Sequence, residues 1–158
     1  MFDVTVYTDG AASGNPGPGG YGVVMMSNGH RRELSAGYAH TTNNRMELLA
    51  VIVALETLKY EKCRVKVYTD SSYVVDAVAK GWLFQWERQA FKKKKNPDLW
   101  TRFLKIYRKH QVTFHWVKGH AGHPLNERCD QLAVAASQQF NLLEDEGYLQ
   151  SGQGESLF

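Results

Sequence analysis

Cysteine is scarce in this chain of 158 residues: only Cys63 and Cys129 occur, far apart and outside any C-x-x-C pattern. That scarcity excludes a disulfide framework and a thiolate metal centre, and both read as small core residues. Long apolar runs are missing as well, since no stretch approaches the ~18 residues of a membrane span. The start, MFDVTVYTDG, lacks the basic region and following apolar stretch of a secretory signal, so the expectation is a cytoplasmic protein with no membrane association. GNPGPGG at 14–20 has no Gly-Lys-Ser/Thr after it and is therefore not a phosphate-cradling P-loop. Close backbone approach to a ligand is the better use of those glycines. No oligomerisation signal is visible, and a monomer is expected.

The composition that remains, 43% hydrophobic and 22% charged, is that of a soluble globular protein. At this length one domain removes about 70% of its unfolded surface from water, enough for a core without staples. Net charge is only +3, but it is uneven. Lys80 to Lys109 holds ten Lys or Arg against two acids, a local +8 that leaves −5 for the rest. A basic segment on an acidic body suits attraction to a polyanion.

Strand-like alternation runs over 3–9, followed by a Gly/Pro loop at 10–20. Strands follow over 21–27 and 31–39, joined at Asn28-Gly29, a strong hairpin signal. NNRMELLAVIVALETLKY at 43–60 predicts a heavily buried helix capped by Thr42 or Asn43. A strand at 64–70 comes next, then helices over 71–79, 81–90 and 98–109, the last capped by Asp98. A strand at 112–117 and a helix at 126–139 complete the order, and the acidic, Gly/Ser/Gln-rich end reads as a mobile tail. This order describes an α/β domain, a five-stranded mixed β-sheet flanked by helices. The long helix is the crossover that lets the strand at 64–70 run parallel to the first.

The first and fourth strands nearly repeat each other: VTVYTDG at 4–10 and VKVYTDS at 65–71. Pleat parity puts Tyr7 with Asp9 on one face and Tyr68 with Asp70 on one face. If the strands are adjacent and in register, the two carboxylates emerge about 5 Å apart. Each Asp alone would read as a turn initiator or helix cap, but the repeat argues for a pair. Glu47 shares a helical stripe with Val51, Ala54 and Leu55, where a glutamate needs a partner. Asp130 sits at the edge of the apolar stripe of the last helix. Oxygen ligands of this kind suit hard cations such as Mg²⁺ or Mn²⁺ rather than zinc. His120 and His123 form an H-x-x-H, but the glycine between them and the proline after them spoil a helical zinc pair.

Five blocks together, TDG at 8–10, GNPGPGG at 14–20, TTNNRMEL at 41–48, YTDSSYV at 68–74 and WVKGHAGHPLNERCDQLA at 116–133, resemble bacterial type 1 ribonuclease H in content and order. The resemblance implies a ribonuclease H-like fold and a catalytic domain at 1–142. A basic helical protrusion at 80–100 lies within it, and a flexible tail follows at 143–158. It implies that Asp9, Glu47, Asp70 and Asp130 hold two Mg²⁺ ions, with Mn²⁺ a possible substitute, and that His120 passes protons. The implied activity is endonucleolytic hydrolysis of the RNA strand of an RNA–DNA hybrid, leaving 5′-phosphate and 3′-hydroxyl ends.

Asn15, Asn43 and Asn44 match positions that contact the RNA strand, where an amide serves a 2′-hydroxyl as both donor and acceptor. Thr42 and Asn96 match a DNA-phosphate pocket. Trp82, Trp86 and Phe91, interleaved with Lys92, Lys93, Lys94 and Lys95, read as a platform for the DNA backbone, as does the nearby Trp100. Ser72 stands where such enzymes often carry Gln, and weaker RNA contact is expected there. For His123 a loop hydrogen bond is expected. Two other classes compete: a non-catalytic hybrid-binding module, against which the four intact acids speak, and a haloacid dehalogenase-type phosphotransferase. The latter needs a second acid two residues after Asp9, where Ala11 stands.

Overall fold

The computed structural model describes residues 2–119 and 123–151. Its elements run β1 (Asp3–Ala12), β2 (Gly17–Ser27), β3 (His30–Thr41), α1 (Asn43–Thr57), β4 (Arg64–Thr69), α2 (Ser72–Ala79), α3 (Trp82–Arg88), α4 (Pro97–Tyr107), β5 (Gln111–Trp116), α5 (Pro124–Ser137) and α6 (Glu146–Gln150). The strands form one sheet in the order β3-β2-β1-β4-β5. β1 pairs antiparallel with β2 and parallel with β4, and β4 pairs parallel with β5. The five-stranded mixed sheet flanked by helices is therefore observed, with α1 as the crossover between parallel strands.

The pleat divides the core in two. Val4 and Val6 join Val65, Val67 and the apolar residues of α1 and α4 on one side of the sheet. Tyr7 packs with Val24, Cys129, Tyr68 and Leu132 on the other, beneath α5. Helix α1 is buried without a break from Arg45 to Ile52, because it lies between the sheet and α4. Both cysteines are free and buried. No helix among the described residues is long and apolar enough to cross a membrane.

Three expectations change. The Gly/Pro loop at 10–20 is mostly strand, with only residues 13–16 left as the turn. The glycines there serve packing: a Cβ on Gly20 would stand 2.5 Å from the Ala133 carbonyl oxygen of α5. Helix α4 is not capped by Asp98, since Asn96 holds the N-cap position and Asp98 turns to Arg45 at 2.7 Å. The mobile tail does not begin at 143. Leu143 bonds the outer edge of β3 through the Gly37 carbonyl (2.9 Å) and the Ala39 N–H (2.8 Å), which covers an edge that would otherwise stay open. Asp145 and Tyr148 beyond it are buried, so the packed body runs through Ser151. Composition misses this because two anchoring residues outweigh their polar neighbours. The rest of the expected tail, 152–158, lies outside the described residues.

Candidate active site

Asp9 and Asp70 sit where the parallel pairing of β1 and β4 ends. The register Tyr7↔Tyr68 and Thr8↔Thr69 makes these acids the next pair along, which is the in-register pairing the equal parity of the two YTD runs allows. Below them the rings form a ladder across three strands: Tyr7 stacks on Tyr68 at 4.8 Å, and Tyr68 on His115 at 4.9 Å. The Trp116 indole N–H donates to the Asp70 carbonyl oxygen at 3.2 Å, tying the end of β4 to β5. Glu47 arrives from α1, and Gly10 lets it come close. A Cβ at Gly10 would lie 2.4 Å from the Glu47 backbone nitrogen, so strand and helix touch backbone to backbone. One carboxylate oxygen from each of Asp9, Glu47 and Asp70 lies within 4.8 Å of the others.

This is an unfavourable place for three negative charges. Asp9 and Glu47 are each only 5% exposed. Burial first, then the charges of Asp70 and Asp130, push the Asp9 carboxyl up to about 8, although the Gly10 N–H donates to its Oδ1 at 2.9 Å. Burial and the neighbouring Asp9 and Asp70 hold Glu47 well above the usual carboxylate range. Its Oε2 is buried with no hydrogen-bond partner among the described residues. A buried, unpartnered carboxylate oxygen among two more acids either keeps protons or takes up a cation. An all-oxygen donor set fits a hard divalent ion. Asp130, half-buried on α5, stands outside the tight trio, yet its charge reaches Asp9.

His120 lies outside the described residues. His123 holds the N-cap position of α5 with its ring tilted against Tyr7 at 5.1 Å. The loop hydrogen bond expected of it is not found among the described residues, where its Nδ1 is buried and unpartnered. A ring contact takes that place.

The amides and the phosphate-type residues gather nearby. Thr42 is the cap of α1, accepting from the Arg45 N–H at 3.3 Å. The Asn43 N–H donates to Asn15 Oδ1 at 3.1 Å, which joins the β1–β2 turn to the start of α1. Asn15, Thr42, Asn44, Lys95, Asn96 and Tyr148 line one pocket of about 380 Å³. Residues expected on different strands of a hybrid thus share a wall. Ser72, exposed, opens α2 behind its cap Ser71.

In the basic segment the two acids are already engaged: Glu87 pairs with Arg108 at 2.6 Å and Asp98 with Arg45. Lys92, Lys93, Lys94 and Lys95 are exposed and make no ion pair among the described residues. Lys94 rests its ammonium 5.3 Å from the Trp86 ring centre, and Lys80 stands 4.9 Å from that of Trp82. Trp82 is 42% exposed, while Trp86 and Phe91 are partly buried against the core. Trp100 is fully buried and belongs to the core, edge-on to Trp86 and Phe103, rather than to a surface platform.

Sequence reasoning misses Arg45, Asp145 and Tyr148. The available signal was an arginine inside an apolar helix, which must find acids if it is buried.

The RNase H family model matches residues 2–138. A protein of Desulforamulus reducens named Ribonuclease H is 66% identical over 147 residues, covering 90% of this chain and 92% of its own. One of Synechocystis sp. named Ribonuclease HI is 58% identical over 151 residues, covering 92% and 94%. The crystal structure of LC9-RNase H1, a type 1 RNase H with the type 2 active-site motif, superposes with a TM-score of 0.79 at 35% identity, covering 96% of this chain and 81% of that one. LC11-RNase H1, solved in complex with an RNA/DNA hybrid, does so with 0.64 at 32%, covering 84% and 95%.

Proposed function

Because the chain belongs to the ribonuclease H family, we propose that it hydrolyses the RNA strand of RNA–DNA hybrids endonucleolytically, with divalent cations, Mg²⁺ first, held by Asp9, Glu47, Asp70 and Asp130. The observation that carries this reading is the convergence of three carboxylates within 4.8 Å of one another where the parallel pairing of β1 and β4 ends. When bound, a pair of such cations supplies a water of lowered pKa as nucleophile and stabilises charge on the departing 3′ oxygen. The products then carry 5′-phosphate and 3′-hydroxyl ends.

The chain's own residues have distinct tasks. Asp9, which burial and its acidic neighbours keep protonated, would give up its proton to a cation, and Asp9 and Asp70 are held by the adjacent strands β1 and β4. Glu47, presented by a buried helix, closes the trio from the third side. Asp130 adds a carboxylate from α5. His120 moves a proton near neutral pH. Asn15, Asn43 and Asn44 take the RNA 2′-hydroxyls. Thr42, Asn96, Trp82, Trp86, Phe91 and Lys92 to Lys95 take the DNA backbone. The protein acts as a cytoplasmic monomer.

Replacing Lys92 to Lys95 together by Gln is expected to weaken hybrid binding and to flatten log K against log salt by roughly 3. An unchanged slope removes these lysines from the phosphate contacts. The test of the function is incubation with strand-labelled RNA–DNA, RNA–RNA, DNA–DNA and single-stranded RNA, with and without Mg²⁺. Cutting confined to RNA in the hybrid, with 5′-phosphate ends, is the expected result. Equal cutting of RNA–RNA overturns the substrate assignment.

A further inference from the structure

Arg45 is the most completely used cation among the described residues. It is 1% exposed, and all five of its N–H donors are engaged. Nε and Nη2 grip Asp145 at 2.7 and 2.9 Å, Nη1 and Nη2 grip Asp98 at 2.9 and 2.7 Å, and Nη1 reaches Asn96 Oδ1 at 3.2 Å. Asp145 also accepts from the Thr41 hydroxyl at 2.6 Å and caps α6 through the Tyr148 N–H at 3.3 Å. Tyr148, 5.9 Å from the guanidinium across its ring, lines the same pocket as Asn96 and Thr42. A buried arginine with two bidentate carboxylates is rigid.

One consequence concerns the Asn96 amide. A guanidinium only donates, so the amide must turn its oxygen toward Arg45. Its nitrogen is then left to donate, one N–H going to the Tyr73 hydroxyl at 3.1 Å, which leaves a second donor on a residue that lines the pocket. Were the amide reversed, it would offer lone pairs to an anion. We propose that Arg45, locked by Asp145 of the C-terminal segment, is a positioning residue that fixes the Asn96 amide as a donor for a DNA-strand phosphate. Residues 143–151 thereby belong to the nucleic-acid-binding apparatus. The inference rests on the reading of that pocket as a DNA-phosphate site.

The test is a double-mutant cycle on the full chain, with Kd for the hybrid measured in Ca²⁺ and KM and kcat in Mg²⁺, well below each variant's melting temperature. Asp145→Asn and Arg45→Lys are each expected to raise Kd and KM about tenfold, a loss typical of one hydrogen bond to a charged group, with a much smaller change in kcat. In an Asn96→Ala background the Asp145→Asn effect is expected to vanish, because the amide to be positioned is gone. Full additivity in that background overturns the inference and leaves Asp145 a structural anchor. Weakened binding by Asn96→Ala but not by Asp145→Asn overturns it while sparing the pocket. Unchanged binding by Asn96→Ala removes the pocket reading and the inference together. Should Arg45→Lys not fold, the Asp145→Asn and Asn96→Ala cycle decides alone.

Discussion

Asp70→Asn is expected to lower turnover on a hybrid at least about a thousandfold, roughly 4 kcal/mol of transition-state stabilisation, while hybrid binding in Ca²⁺ is retained. Asp9→Asn should match it. The pair Thr8↔Thr69 sets Asp9 and Asp70 side by side, each held by its own strand. An amide is nearly isosteric but uncharged, so fold and hybrid surface survive while the charge that holds a divalent cation is lost. Single-turnover cleavage in Mg²⁺ and filter binding in Ca²⁺ separate the two quantities. Turnover retained by either variant would remove that acid from the metal site.

The second large effect concerns stability without metal. The Asp9 carboxyl is pushed up to about 8 from an ordinary 3.8. Between these values the folded chain keeps a proton that the unfolded chain has released, so deprotonation on raising the pH works against the fold. This contribution is fully present below about pH 4 and is lost as the pH rises through about 8. The metal-free protein is therefore expected to melt at lower temperature at pH 9 than at pH 6. Asp9→Asn should flatten that dependence and melt about 3 °C or more above the wild type at pH 9. Mg²⁺ should raise the wild-type melting temperature and leave that of Asp9→Asn much less changed. Thermal melts across pH in EDTA and in Mg²⁺ read all three. A variant less stable than wild type at pH 9 would show that the acids do not repel in the folded state.

The parallel pairing of β1 and β4 was legible because parity is a local property of a strand. Two YTD runs of equal phase put both carboxylates on one face of the sheet, and a one-residue slip would part them. Glu47 was legible as a polar residue on an apolar stripe. What sequence did not carry was anything decided by distant packing. The glycines of β2 look like a loop until α5 lies against them. Asp98 looks like a helix cap until Arg45, over fifty residues away, claims it. The segment at 143–151 has the composition of a tail, and only its contact with β3 and Arg45 makes it structure. Trp100 groups with Trp82, Trp86 and Phe91 in sequence because it follows the lysine run, although it sits one turn before Phe103 on the inward face of α4.

The most direct measurement is calorimetric titration of Mn²⁺ into the metal-free protein at pH 7, in two buffers of different ionisation enthalpy. Acids that hold protons at neutral pH must release them when a cation binds. The wild type should bind with net proton release, and Asp9→Asn should lose both the affinity and the release. Binding of equal affinity by both proteins, with no protons released by either, would contradict the assignment of Asp9, Glu47 and Asp70 as the cation site.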